Sequence, residues 1–350
     1  MRCLLALILC GVAACHAGAA GVDGGGDDIA SAAGSDLAAA DGATTPGVDL
    51  AIASGPESVR IIVEPGDSGA GLQTAIATAS KSVHVTMYLF TNTDLLNALV
   101  ERHKAGVDVK VVLNKAFPTS STSNQTAYDT LKTAGVGVVW APVSFVYTHE
   151  KCVIIDGAVA WIMTMNATHT AVTANREYLA VDSQAADVAE AEAIFAADFA
   201  GKAWSPGGVL VVSPENSRDR LVTFIGTATS TVDVEDEELS DPKIVAALTS
   251  QKDAGRTVRV VLSDSSPSSS QSAAVATLKQ HKVPVVVVHT PYIHAKAIVV
   301  DGASVFVGSE NFTTGSLQFN RELGLILSIA TEVKKVADAL STDFGNGTAL

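Results

Sequence analysis

Positive charge is scarce in this 350-residue chain. Lys and Arg total 23 against 37 Asp and Glu, which gives a formal net charge of −14 and a pI of about 4.9. No basic run occurs anywhere in the sequence. Proteins that bind nucleic acid mainly through phosphate contacts need a basic surface. The composition therefore disfavours a non-specific nuclease, although an acidic body can still carry a local cationic pocket.

Cysteine is equally scarce, and the familiar metal-binding motifs are missing. The four cysteines are Cys3, Cys10, Cys15 and Cys152. Three of them fall at the N-terminus, so Cys152 is left alone and no disulfide framework is expected. The sequence contains no H-E-x-x-H motif and no Cys/His cluster. We expect neither a metal nor another cofactor.

The N-terminal apolar segment, residues 3–12, is too short to span a bilayer and follows a basic start. Val12-Ala13-Ala14-Cys15 resembles the lipobox of bacterial lipoproteins, in which Cys15 would carry the lipid. An ordinary signal peptide cleaved near residues 17–19 is the alternative. We therefore predict a signal segment over 1–15 and an exported protein, lipid-anchored in a bacterial cell envelope or secreted.

Residues 16–58 have no aromatic side chain and no sustained hydrophobic periodicity. Such a Gly-, Ala-, Asp- and Ser-rich segment cannot bury enough apolar surface to offset its ordering entropy, so a flexible tether is predicted. The rest of the chain is apolar enough to form a large core.

That remainder contains two stretches that repeat each other in one register. "THEKCVIIDGAVAWIMTMNAT" begins at Thr148, and "IHAKAIVVDGASVFVGSENFT" begins at Ile293. The shared positions are His149, Lys151, Asp156 and Asn166 in the first copy and His294, Lys296, Asp301 and Asn311 in the second. The register continues through "NREYLAV" and "NRELGLI", and through Asp198-Phe199 and Asp343-Phe344.

Strand and helix patterns alternate in both copies. Strands are expected at 59–63, 82–90, 107–113 and 136–140, with helices between them, and the same order recurs from Gly208 onwards. This alternation predicts an α/β fold with helices on both faces of each sheet. "WSPGG" at 204–208 interrupts the pattern, so we predict one half over 59–205 and another over 206–350.

The doubled H-x-K-x4-D motif with a distal Asn resembles the phospholipase D superfamily of phosphodiesterases. The resemblance implies two similar α/β/α sandwich halves related by a pseudo-two-fold axis, with one active site at their interface. On an extended segment, side chains two residues apart share a face, so each His and Lys pair points to one side. Asp156 and Asp301 each precede Gly and predict hairpin turns.

The resemblance also implies a role for each motif residue. One His would attack phosphorus and form a phosphohistidine, and the other would protonate the leaving alcohol. Lys151, Lys296, Asn166 and Asn311 would hold the non-bridging oxygens without a metal. By the family pattern Asp156 and Asp301, although part of the catalytic motif, hold the turns. Glu177 and Glu322 are similar to carboxylates that orient the imidazoles, and the sequence does not pair them with a particular His.

The first motif departs from the family's Gly-Ser-x-Asn pattern. The second copy keeps it as Gly308-Ser309-Glu310-Asn311, whereas the first has Met163-Thr164-Met165-Asn166. Thr164 can replace the hydroxyl of Ser309, and Met163 is expected to reshape the pocket. A degenerate copy without activity is the alternative. "EDEE" at 235–238 is interpreted as a solvated strand end or pocket rim, and Asn114, Asp264 and Tyr292 as possible head-group contacts.

Together these features predict an exported phospholipase D-like phosphodiesterase acting on phospholipid head-group esters by hydrolysis or transphosphatidylation. The partners expected are a phospholipid and, through Cys15, a membrane, but not nucleic acid. Alternatives are an endonuclease of the superfamily, a phosphatidyltransferase similar to cardiolipin synthase, and a catalytically silent lipid- or phosphate-binding lipoprotein. The sequence gives no indication of the oligomeric state.

Overall fold

A computed structural model describes residues 58–263 and 268–350. The signal segment, Cys15, nearly all of the tether and Asp264 lie outside the described residues.

The first half builds one sheet and covers it with helices. Its strands are β1 (Val59–Glu64), β2 (Ser82–Met87), β3 (Asp108–Leu113), β4 (Gly137–Trp140), β5 (Lys151–Ile155), β6 (Val159–Met163) and β7 (Asn175–Asp182). Its helices are α1 (Ala70–Thr78), α2 (Thr93–Lys104), α3 (Gln125–Thr133), α4 (His169–Thr173) and α5 (Ala185–Phe199).

The second half repeats this order. Its strands are β8 (Val211–Ser213), β9 (Thr231–Asp236), β10 (Thr257–Ser263), β11 (Val285–Val288), β12 (Tyr292–Ile293), β13 (Lys296–Val300), β14 (Ser304–Gly308), β15 (Glu322–Leu327) and β16 (Thr348–Ala349). Its helices are α6 (Ser217–Gly226), α7 (Pro242–Asp253), α8 (Ser269–Gln280), α9 (Thr314–Phe319) and α10 (Ala330–Asn346).

Within the described residues the strands form two eight-stranded mixed sheets. The first has the order β1-β7-β6-β5-β2-β3-β4, and the second β16-β11-β10-β9-β13-β14-β15-β8. The short strand β12 belongs by sequence to the second half, but it pairs in parallel with β7 of the first. This exchange joins the halves by backbone hydrogen bonds.

The core has three layers. Between the sheets, β5 to β7 pack on β14 and β15, while α5 and α10 complete the same apolar layer. The outer face of the first sheet is covered by α1 to α4, and that of the second by α6 to α9. Each half is therefore an α/β/α sandwich, so the predicted fold class is confirmed.

The turns that follow β5 and β13 have the conformation that the Asp-Gly pairs predict. Asp156 and Gly157 have φ values of 56° and 63°, and Asp301 and Gly302 have 54° and 61°. Two consecutive residues with positive φ make the tight hairpin turn that matches the twist of antiparallel strands. The turns join β5 to β6 and β13 to β14.

The segment between α5 and β8 connects the halves near the predicted boundary at 205/206. Glu190 of α5 accepts hydrogen bonds from four successive backbone N–H groups, those of residues 207–210. A carboxylate that accepts several backbone N–H groups fixes the local chain path.

In the part of the chain that the structure describes, no helix is long and apolar enough to cross a membrane.

Candidate active site

Backbone contacts across the interface position both motif histidines. The N–H groups of His149 and Glu150 donate to the carbonyl of Arg321 at 2.9 Å each, and the N–H of His294 donates to that of Arg176 at 3.3 Å. Each motif therefore begins against the other half of the molecule. The reciprocity of these contacts expresses the pseudo-two-fold relation.

The histidines are oriented by carboxylates from the opposite halves. His149 Nδ1 lies 2.9 Å from Glu322 Oε2, and His294 Nδ1 lies 2.8 Å from Glu177 Oε1. Both glutamates are fully buried. The pairing that the sequence left open is thus crossed between the two halves.

The hydroxyls next to the distal asparagines support these carboxylates. Ser309 Oγ donates to Glu322 Oε2 at 2.7 Å, and Thr164 Oγ1 donates to Glu177. The backbone N–H that follows each glutamate returns a hydrogen bond to the hydroxyl, at 2.9 Å for Thr164 and 3.0 Å for Ser309. Thr164 therefore makes in the first half the contacts that Ser309 makes in the second.

Asparagines two residues before each glutamate add a further donor. Asn175 Nδ2 lies 3.3 Å from Glu177 Oε1, and Asn320 Nδ2 lies 3.2 Å from Glu322 Oε1. Sequence reasoning did not assign them a role, although the repeated "NRE" contained the signal.

These contacts determine the charge state of the pair at His149. Burial lowers the pKa of His149, and Glu322 offsets this only in part. For Glu322, burial would raise the pKa, but His149 and Lys151 hold it below its ordinary value. A neutral His149 that donates its Nδ1 proton to Glu322 has its lone pair on Nε2, the nitrogen available for attack.

The motif lysines are buried beside the histidines. Lys151 Nζ donates to the carbonyl of His149 at 2.7 Å, and Lys296 Nζ donates to that of His294 at 2.6 Å. Two ammonium groups held in a buried interface supply cationic donors for the oxygens of a phosphodiester.

The distal asparagines lie at the same sheet edge. Asn166 follows β6 and Asn311 follows β14, and these strands run antiparallel to β5 and β13. The ends of β6 and β14 therefore meet the beginnings of β5 and β13, where the His and Lys residues lie. Both asparagine side chains are buried.

Asp156 and Asp301 lie outside this cluster, at the far ends of β5 and β13. Asp156 accepts the N–H groups of Ser80, Lys81 and Ser82, and Asp301 accepts those of residues 229–231. Their role in the structure is to bind the loops that lead into β2 and β9.

An unexpected carboxylate completes the second half of the site. Glu237 Oε2 lies 3.0 Å from Lys296 Nζ and 3.5 Å from His294 Nε2, while Tyr292 donates to Glu237 Oε1 at 2.8 Å. Tyr88 occupies the corresponding place in the first half, with its ring centroid 4.5 Å from that of His149.

Two arginine pairs reinforce the interface between the halves, again in crossed fashion. The Arg176 guanidinium donates to both carboxylate oxygens of Asp343 in α10. The Arg321 guanidinium donates in the same way to Asp198 in α5. The repeated Asp-Phe pairs in the sequence were the signal for these partners.

Across residues 58–263 and 268–350, no group of three His, Cys, Asp or Glu side chains is arranged to hold a metal ion.

A family model described as "Cardiolipin synthase, PLD-like domain" matches the chain twice, over residues 72–199 and 221–345. The two matches cover most of the chain and contain both motifs. The protein belongs to the phospholipase D superfamily. Enzymes of this superfamily act on phosphodiester bonds.

Relatives and solved structures agree with this membership. A mitochondrial cardiolipin hydrolase of Danio rerio is 29% identical over 121 residues, which are 33% of this chain and 52% of that protein. The chain thus spans about half the length of this curated relative. Phosphatidylserine synthase of Haemophilus influenzae has a TM-score of 0.65 at 10% identity, covering 85% of this chain and 88% of its own. Polyphosphate kinase of Porphyromonas gingivalis has a TM-score of 0.66 at 15% identity, covering 83% and 48%. These two likenesses show the fold.

One expectation about the motif of this superfamily member was wrong. Met163 does not reshape the pocket, because its side chain belongs to the apolar core on the outer face of the first sheet. Successive residues of a strand face opposite sides, so Thr164 points to the interface and Met163 away from it. A Cβ at Gly308 in the other half would lie 2.7 Å from Gly324 Cα, so the two halves differ in how this face is packed.

The interpretation of "EDEE" as a solvated strand end was wrong, since Glu235, Asp236 and Glu237 are buried. Each has a partner from elsewhere in the chain: Tyr178 OH for Glu235, the Phe312 N–H for Asp236 and Lys296 for Glu237. The alternative of a pocket rim agrees with the position of Glu237 beside His294 and Lys296.

Asn114 and Tyr292, two of the suggested head-group contacts, make hydrogen bonds within the protein. Asn114 is buried, accepts the Thr148 N–H at 3.0 Å and donates to the Ala116 carbonyl, so it serves the loop before His149. Tyr292 binds Glu237 at the edge of the site.

Proposed function

We propose that this protein is an exported phosphodiesterase that cleaves phospholipid head-group esters through a phosphohistidine. One observation carries the proposal: two buried His/Lys pairs converge at the interface, and each His is bound at Nδ1 by a carboxylate of the opposite half. With Nδ1 held by a carboxylate, Nε2 is the nitrogen of each imidazole that would act on the substrate.

The reaction follows from these positions. His149 Nε2 attacks phosphorus, a P–N bond forms, and the P–O bond to the head-group alcohol breaks as His294 protonates the leaving oxygen. The now neutral His294 accepts a proton from water, whose oxygen attacks phosphorus and releases His149. Lys151 and Lys296, with Asn166 and Asn311, stabilise the charge that develops on the non-bridging oxygens.

Charge supports a lipid rather than a nucleic-acid strand as substrate. A nuclease gains affinity from several phosphate contacts at once. With 23 basic against 37 acidic residues, this chain offers cationic donors for a single phosphodiester. The relative from Danio rerio is named a cardiolipin hydrolase, which agrees with a phospholipid substrate.

A purified-protein assay against a panel of phospholipids and single-stranded DNA tests the proposal. We expect release of a head-group alcohol from micelles or vesicles, and loss of nearly all turnover in His149→Ala and in His294→Ala. A phospho-adduct on a histidine should appear after acid-free quenching. Turnover of DNA alone would favour the endonuclease, and phospholipid binding without turnover by the wild type would favour a silent lipid-binding protein.

Phosphatidyl transfer is a second candidate, favoured by the description of the matching family model as cardiolipin synthase. Both reactions share the covalent intermediate and differ in whether water or an alcohol resolves it. With a primary alcohol present, transfer yields a phosphatidyl-alcohol. If phosphatidyl-alcohol remains the main product even when the added alcohol is dilute, the protein is a transferase.

We also propose that Cys15 anchors the protein to a bacterial membrane, on the strength of Val12-Ala13-Ala14-Cys15 and the low-complexity segment after it. Labelling with a palmitate analogue should mark the wild type and not Cys15→Ser. A mature N-terminus downstream of residue 15 would instead support an ordinary signal peptide and a secreted protein.

A further inference from the structure

The two halves of the site differ at one position that faces the chemistry. Strand β2 pairs with β5 so that Met87 faces Lys151, and β9 pairs with β13 so that Asp236 faces Lys296. Met87 is followed by Tyr88 in the first half, and Asp236 is followed by Glu237 in the second. Pseudo-symmetric positions therefore carry an aromatic ring and a carboxylate.

The carboxylate of Glu237 lies beside two groups that can carry positive charge, Lys296 and His294. It is 3% exposed and contacts Lys296, Tyr292 and, at 3.5 Å, the Nε2 atom of His294. Tyr88 lies instead with its ring against His149 and has Lys151 Nζ 5.0 Å from its centroid. An aromatic ring adds no formal charge beside its histidine.

The charges that face His294 come from three elements. Glu177 of β7, Glu237 after β9 and Lys296 of β13 sum to a net charge of −1 before the imidazole is protonated. The neighbouring carboxyl of Asp236 is excluded from this sum because burial raises its pKa well above its ordinary value. Burial would also raise the pKa of Glu237, but Lys296 and His294 hold it far below the usual range.

The corresponding groups at His149 are Glu322 and Lys151, whose charges cancel. Burial lowers the pKa of His149, and the charge of Lys296 lowers it further. Protonation of His149 would give its group of charges a total of +1. Protonation of His294 gives its group a total of zero. Low-dielectric surroundings strongly favour the neutral total.

We propose that Glu237 is a positioning residue that keeps His294 protonated and thereby assigns it the role of general acid, leaving neutral His149 as the nucleophile. The inference rests on the proposed phosphodiesterase function and adds to it the cause of the division of labour. In the first step the Nε2 proton of His294 passes to the leaving oxygen as the P–O bond breaks and the P–N bond to His149 forms. Nothing else is consumed.

The test compares wild type, Glu237→Gln and a matched control, Glu238→Gln, which removes the same charge one residue further along. The substrates are phosphatidylcholine, whose leaving alcohol needs a proton, and phosphatidyl-p-nitrophenol, whose leaving phenolate does not. First-turnover rates are measured from pH 5 to pH 9 in mixed micelles, with far-ultraviolet circular dichroism to establish that each variant is folded.

For phosphatidylcholine, Glu237→Gln should move the alkaline fall in rate to lower pH by about one unit, which is roughly a tenfold loss on that limb. The rate at the acidic end should be retained. The p-nitrophenol burst should not change, and Glu238→Gln should match the wild type on both substrates.

An unchanged alkaline limb in folded Glu237→Gln, or equal losses on both substrates, would overturn the role of Glu237. Inactivity of the wild type on both substrates would instead overturn the phosphodiesterase proposal. Should Glu237→Gln not fold, Glu237→Asp keeps the charge at a greater distance from His294 and should shift the same limb in the same direction by less; an unshifted limb in that variant would also contradict the inference.

Discussion

At the scale of single residues, the site depends on how well its buried carboxylates are hydrogen-bonded. Glu177 and Glu322 are acceptors for their histidines, and each also receives a hydroxyl donor. Leaving a buried carboxylate short of one donor costs about 1–3 kcal/mol. The orientation of each imidazole therefore relies on groups that never touch the substrate.

Removing the Thr164 hydroxyl should weaken catalysis without disturbing packing. Thr164→Val keeps the shape of the side chain but loses its donor to Glu177 and its acceptor for the Tyr178 N–H, so we expect kcat/KM to fall roughly tenfold. Thr164→Ser keeps the donor and should remain close to the wild type. Steady-state kinetics on phospholipid micelles measure both, and equal values for Thr164→Val and Thr164→Ser would contradict this account of the hydroxyl.

Much of the residue-scale arrangement was predictable, because the repeat register identified both His/Lys pairs and both glutamates. Glu237 was not. In the sequence it belongs to an acidic run, which ordinarily indicates a solvated surface. Its neutralising partner, Lys296, lies 59 residues away and meets it only once β9 pairs with β13.

At the scale of elements, the two hairpins are held by the aspartates that end the motif. Asp301 accepts three backbone N–H groups and the Thr229 hydroxyl, and these bonds lower its pKa to about 2 although partial burial opposes the shift. The loop before β9 is thus bound to the turn after β13.

Asp301→Asn should therefore affect stability rather than turnover. The amide keeps one acceptor oxygen but directs N–H donors at backbone N–H groups, so we expect a loss of about 1–2 kcal/mol in the free energy of unfolding. Because the folded-state pKa is depressed, this stabilisation is present above the unfolded pKa and is lost as pH falls towards about 2. Denaturant melts at pH 7 and pH 3 measure the difference. A folded variant with normal stability but no turnover would place Asp301 in the catalytic machinery.

The strands and helices of each half were predictable from alternating patterns, with ends differing by a few residues. The exchange of β12 was not, because a two-residue strand has no periodicity. It forms against the first two residues of β7, Asn175 and Arg176, which extend beyond the pairing of β7 with β1 and β6.

At the scale of the whole molecule, buried carboxyls set how stability depends on pH. Burial raises the pKa of Glu150 to about 8, with Asp198 adding to the effect, and its side chain is 1% exposed. Between its unfolded pKa and about 8 the folded state binds the extra proton. The contribution of Glu150 to stability therefore falls as pH rises through that range.

Glu150→Gln should remove this dependence at one site. We expect the variant to gain on the wild type by a few kcal/mol between pH 5 and pH 8, because glutamine carries no proton to lose. Unfolding free energies at the two pH values provide the measurement. A difference between variant and wild type that does not change with pH would show that Glu150 is not the group that titrates.

Metal independence belongs to the same scale, since it concerns how the whole site balances phosphate charge. Lys151 and Lys296 are buried cations beside the two histidines. Turnover should survive excess EDTA at the full rate. Loss that zinc, magnesium or calcium restores on a soluble, monomeric substrate would require a different mechanism.

The crossed pairing of the glutamates and histidines was beyond the sequence, because a repeat register does not say which copy's glutamate meets which copy's histidine. Only the packed interface, with its exchanged backbone bonds and its crossed arginine pairs, decides this.

Joining both copies in one chain has a genetic consequence. In an assembly of two identical chains, a codon change at the position of Glu237 would alter both sides of the active site together. Here Tyr88 and Glu237 are encoded separately, so one copy can change while the other is kept. The internal duplication thus allows the two histidines to be selected for different tasks.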